Sequence, residues 1–159
     1  MTKGYKDTIL TLMFAALAIL SSKAEAAERT RCEILTVQAS NSGRGIAESL
    51  TQYAEIFKKP PFATYDSFEL LDRQVVELAL AVPTQLTLPE NIGGSLNLNG
   101  RIGKQLDLTL TLSRNKKTPI TIRGHASPGA PLIAAGMTSS KGIWVFGVVC
   151  TEPRGTVSF

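Results

Sequence analysis

Gln105 to Ser113, QLDLTLTLS, sets Leu106, Leu108, Leu110 and Leu112 on one side of an extended chain. Asp107, Thr109, Thr111 and Ser113 fall on the other. Period two over nine residues describes a half-buried strand with one wet face. Ser95 to Ile102 repeats the pattern, with Leu96 and Leu98 against Asn97 and Asn99. Gly100 to Lys104 joins the two as a tight hairpin. Such strands find a core only by packing a second layer on their apolar side.

Further short runs surround this pair. Ile34 to Ala39, Ser67 to Leu71, Gln74 to Val82, Thr84 to Leu88 and Pro119 to His125 read as strands. Pro131 to Gly136 and Gly142 to Val149 form a last hairpin across MTSSK. Close spacing with turn residues between predicts a mainly β protein, an antiparallel β-sandwich or flattened barrel. One helix is expected after the first strand: Ile46, Leu50, Tyr53, Ala54 and Phe57 make an apolar stripe before Lys58-Lys59, and Pro60-Pro61 stop it. In this reading Asn41 to Gly45 open that helix, with Asn or Ser as cap.

The N-terminus predicts export. Lys3 and Lys6 precede an apolar run from Ile9 to Leu20, and Ala24-Glu25-Ala26 follows. This is the layout of a secretory signal peptide over residues 1–26, leaving a single β-rich domain over 27–159. The apolar run is shorter than the roughly 20 residues of a spanning helix, and no later run is longer. The chain holds 17 Lys and Arg against 13 Asp and Glu; removing three bases and two acids with residues 1–26 leaves 14 against 11, a net charge of +3. That mild balance argues against nucleic acid as a partner.

There are two cysteines, Cys32 and Cys150. In an exported chain two Cys most simply pair, fastening a first strand to a late one. Two Cys and one His without paired spacing make a poor metal site, and no cofactor motif is present. A reactive thiol at Cys150 would need His125 brought to it by the fold.

The stretch CEILTVQASNSGRGIAESLTQYAEIFKKPPFATYDSFELLDRQ resembles the start of small secreted proteins of unknown function from predatory and gliding bacteria. The tail TPITIRGHASPGAPLIAAGMTSSKGIWVFGVVC is similar to theirs. The resemblance implies an exported, single-domain, β-rich protein tied to the cell surface during prey contact or movement. It supplies no catalytic residue.

Candidate chemistry is sparse. His125, before a Pro-Gly turn, reads as a solvated loop residue. Asp66 and Glu69 face opposite sides of a strand, and Asp107 reads as a solubilising residue. GRIGK lacks the glycine spacing of a phosphate loop. Arg114, Lys116 and Lys117 sit on one hairpin tip and could touch an acidic lipid surface or polysaccharide. Trp144 and Phe146 share a strand face; in the core they flank the bridge, and exposed they would form a sugar platform. A terminal strand ending GTVSF could pair with a partner's sheet edge. The expectation is a periplasmic or secreted, non-catalytic protein that binds another exported protein. Alternatives are a cell-wall or polysaccharide hydrolase and a carbohydrate-binding module.

Overall fold

A computed structural model describes residues 29–114 and 118–151. Among these residues there are nine strands: β1 (Arg29–Ser40), β2 (Gly45–Ile46), β3 (Ser67–Ala79), β4 (Thr84–Thr87), β5 (Ile92–Ile102), β6 (Gln105–Arg114), β7 (Ile120–Ala126), β8 (Leu132–Ser139) and β9 (Gly142–Cys150). They form two sheets, one in the order β2-β3-β1-β9-β8 and one in the order β4-β5-β6-β7. All pairings between them are antiparallel except β2 with β3. The mainly β sandwich read from the sequence is the fold of the chain.

A third layer lies on the five-stranded sheet. Glu48–Tyr53 is a 3-10 helix, followed by one α-helical turn, α1 (Ala54–Phe57). The expected helix is therefore shorter and tighter than its apolar stripe suggested. Ile46 belongs instead to β2, opposite Phe68. Leu50 and Tyr53, three apart, eclipse on a 3-10 turn and bury together. With Phe57 and Phe62 they cover Leu35, Val37, Ala39, Phe68 and Val145. Phe57 stacks on Phe68 at 4.3 Å between ring centroids, slightly closer than the roughly 4.5–7 Å usual for aromatic pairs.

The inter-sheet core lies on the other side of β1. There Cys32, Ile34, Trp144, Phe146, Val148 and Cys150 meet the leucines of β5 and β6. β1 is thus buried on both faces, so its sequence shows no clean apolar–polar alternation. Gln38 is buried because its amide is used: it donates to the Ile143 carbonyl at 3.1 Å and accepts from Ser139 Oγ at 2.8 Å.

β3 joins two runs that the sequence reading separated. Thr36 pairs with Asp72 and Val37 with Leu70, so Leu71 is an extra residue in the ladder. This bulge switches the phase. Phe68 and Leu70 face the helical layer, whereas Val76 and Leu78 face the inter-sheet core. A flip of alternation within one strand looks like two strands when read along the chain. The last hairpin also turns later than expected, at Ser140-Lys141, because β8 continues to Ser139.

Candidate functional site

Cys32 and Cys150 are register partners on β1 and β9 and form a disulfide, S–S 2.06 Å, with both residues fully buried. The described residues contain no free cysteine, which removes the thiol and metal readings of Cys150. The bridge spans 118 residues of sequence. In the chain-entropy account such a loop stabilises by about 5 kcal/mol. Among the described residues, no group of three or more His, Cys, Asp or Glu is placed to hold a metal.

Trp144 and Phe146 are fully buried. Neither ring offers a face to a sugar, and the platform considered for them is corrected to core packing beside the bridge. Arg114 is drawn into the same arrangement. Its guanidinium carbon lies 4.6 Å from the Trp144 ring centroid, and its Nη2 lies 3.5 Å from Glu90 Oε2. It closes one end of the sandwich through a cation–π contact. Lys116 and Lys117, and the terminal GTVSF, lie outside the described residues.

The outer face of the four-stranded sheet carries a hydrogen-bonded ladder. Arg123 donates from Nε to Asp107 Oδ1 at 3.1 Å and from Nη2 to Oδ2 at 2.6 Å. Asn99 donates to Thr109 Oγ1 at 2.8 Å and to Asp107 Oδ1 at 3.3 Å. Asn97 donates to Asn99 Oδ1 at 2.6 Å. The Arg123 hydrogen bonds hold the Asp107 carboxyl below the usual carboxylate range. His125 pairs with Asp107 in register. It sits on β7, exposed, and not in the expected loop. The pleat makes this so: His125 continues the outward alternation of Thr121 and Arg123.

The loop from Asn41 to Arg44 has its own anion. Asp66 Oδ1 accepts from the Gly43 amide at 2.9 Å and from Ser67 Oγ at 2.7 Å, while Ser67 Oγ accepts from the Arg44 amide at 2.8 Å. The Ser67 hydrogen bond, then the Gly43 amide, lower the Asp66 carboxyl below its ordinary range. The expected side-chain cap is absent: Ala47 precedes the 3-10 helix with no capping bond. The glycines serve turn geometry instead, with φ of +70° at Gly43 and +75° at Gly45.

The sheet edges differ in how they are guarded. β3 leaves most of one side unpaired but carries Glu69, Asp72, Arg73 and Glu77. β4 has four residues between Pro83 and Pro89. β7 carries Arg123 and His125. β8, LIAAGMTS, is an edge strand of eight residues without a charge or a proline. Its one irregularity is a bulge between Ala135 and Thr138, where Gly136 packs against the Phe146 ring too closely for any Cβ. Charged side chains, proline, shortness and bulges are the usual protections of an edge; of these β8 has only the bulge. The sequence carried this signal in its composition, but which strand lies at an edge depends on sheet order, which the sequence did not show.

No helix among the described residues is long and apolar enough to cross a membrane. Comparison with known proteins finds no matching family, no matching curated protein and no matching solved structure.

Proposed function

We propose that this is an exported, non-catalytic interaction protein of the periplasm or cell surface that receives an extended segment of another exported protein along β8. The observation that carries this reading is the uncharged, proline-free edge of β8. Its outward row of backbone N–H and C=O groups is complementary to a further strand. The disulfide fits an oxidising compartment. Two of the candidate acids, Asp107 and Asp66, are held in hydrogen bonds to their neighbours.

Positional crosslinking tests the reading. A photo-reactive residue at exposed Ala135 in the full chain, in its native cell envelope, should yield one discrete adduct. The same residue at Gln85 or Glu77 should yield none. Ala135→Lys with Thr138→Lys, a charge guard placed on the same edge, should abolish binding while circular dichroism stays unchanged. Equal crosslinking at all three edges, or binding that survives the lysines, would reject it.

A further inference from the structure

The three most exposed large apolar side chains among the described residues are Leu80 at 59%, Ile102 at 58% and Val82 at 55%. They come from two different connections. Leu80 and Val82 belong to the corner between β3 and β4, and Ile102 to the tip of the β5–β6 hairpin. The fold brings both to one end of the sandwich. Leu80 bridges Leu98 of β5, and the Ala81 amide donates to the Leu98 carbonyl at 2.8 Å. Arg29, at the start of β1, pairs with Ala79. Arg101, beside Ile102, donates from Nη2 to Thr30 Oγ1 at 3.0 Å.

This same end is basic. Arg29, Arg31, Arg101 and Lys104 are all exposed there. Among the described residues, Glu77 pairs with Arg29 at 3.4 Å, Glu33 with Arg73 at 3.2 Å and Asp107 with Arg123 at 2.6 Å. Neither core cluster includes Leu80, Val82 or Ile102, so burial within the fold does not account for them.

Apolar tips ringed by cations suit one kind of surface. In the interfacial zone of a bilayer, apolar side chains enter the acyl boundary while Lys and Arg stay at the headgroups. An anionic headgroup layer adds attraction for each basic residue and falls off within a Debye length. We infer that the β3–β4 corner and the β5–β6 hairpin tip dock this protein on an anionic phospholipid surface, with Leu80, Val82 and Ile102 inserted and the surrounding basic residues at the headgroups. This contact is separate from β8, so either can fail without the other.

The test is tip-specific. Ile102→Trp in the full, oxidised chain is mixed with vesicles of phosphatidylglycerol and phosphatidylcholine carrying brominated chains, which quench an inserted indole. Native Trp144 is fully buried and serves as the internal reference. Ile102→Trp should be quenched by the phosphatidylglycerol vesicles and little by phosphatidylcholine alone. Raising salt should shift half-maximal quenching to more lipid. Arg31→Gln or Lys104→Gln in that background should each shift it by about fivefold. Leu80→Ser with Val82→Ser should shift it further than either. Val75→Trp, on the outer face of β3 away from the tip, should stay unquenched. Emission of Ile102→Trp no more quenched than that of Trp144 would overturn the inference, whether a second copy or residues 1–28 cover the tip. Quenching of Val75→Trp to the same extent would overturn it as well.

Discussion

The two sheets meet across one core yet live in different surroundings. The four-stranded sheet is apolar on its inner face and polar outside, so the leucines of β6 are buried and the residues between them are partly exposed, except Asp107. Asp107 is buried under its hydrogen-bond partners and is not the solubilising residue its position in the sequence suggested. The five-stranded sheet is covered on both sides at its centre. β1 and β9 pack Cys32, Ile34, Trp144 and Phe146 inward and Leu35, Val37, Ala39 and Val145 against the helical layer. The first sheet tolerates polar residues at half its positions. The second tolerates them where a partner is supplied, as at Gln38, or at the cost of an unmet bond: among the described residues Thr36 Oγ1, Gln74 Oε1 and Trp144 Nε1 are buried without one, against Asn97 Oδ1 in the four-stranded sheet. Stability is therefore concentrated in the middle of the five-stranded sheet, and the predictions are graded by distance from it.

The largest effect should come from the disulfide, which ties the two central strands. Cys32→Ser with Cys150→Ser should lower the free energy of unfolding by up to about 5 kcal/mol, read by urea denaturation. A loss below about 1 kcal/mol would mean that β1 and β9 hold their register by packing alone. Truncation inside the doubly covered strand comes next. Leu35→Ala should cost roughly 2–5 kcal/mol, although Leu35 lies in the helical-layer cluster and not in the inter-sheet core. A cost under about 1 kcal/mol would show that the helical layer rests loosely on the sheet, and the contrast between the sheets would disappear.

The same contrast decides what the sequence could reveal. QLDLTLTLS was legible because one face of β6 is wet, and the hairpin turn at Gly103, φ +61°, is where its glycine indicated. β1 was recognised as a strand from its β-branched residues, but its two-sided burial was hidden because Thr36 and Gln38 break the apolar run. β3 was divided at Leu71, where the bulge reverses which layer its side chains face. The disulfide was legible from the number of cysteines together with the expected signal peptide. The Asp107–Arg123 pair was not, since 16 residues separate the partners and only the β6–β7 register sets them side by side. Trp144 as core and Arg114 as its cover required the sheet order as well.

Two substitutions of one hydroxyl test the difference directly. Val37→Thr keeps the shape and buries a hydroxyl against Phe68 and its neighbours, so it should cost about 1–3 kcal/mol. Thr111→Val makes the reverse change on the wet face of β6 and should stay within about 0.5 kcal/mol. Equal losses from the two would mean that the outer face of the four-stranded sheet is covered, and the search for a partner would move there from β8.

The smallest effect is a shape in pH. Asp107 titrates below the usual carboxylate range because Arg123 holds its ionised form. A carboxyl depressed in the folded state binds its proton more weakly than in the unfolded chain, so acid favours unfolding. Its stabilisation is complete above the unfolded value, near 3.9, and is lost as pH falls through the lower folded value. Asp66 and Glu55 are depressed too, by Ser67 and Lys58 respectively, so the wild-type curve alone does not isolate Asp107. Arg123→Gln does: it removes the dominant cause at Asp107 and leaves the other two in place. The variant should lose stability less steeply than the wild type as pH is lowered through this window, and the two curves should run parallel at neutral pH. Curves parallel throughout would mean that the guanidinium is held by solvent and the pair is a resting contact on an exposed face, consistent with the modest worth of surface ion pairs. In that case the only part of the ladder still ordering this face would be the neutral chain from Asn97 through Asn99 to Thr109.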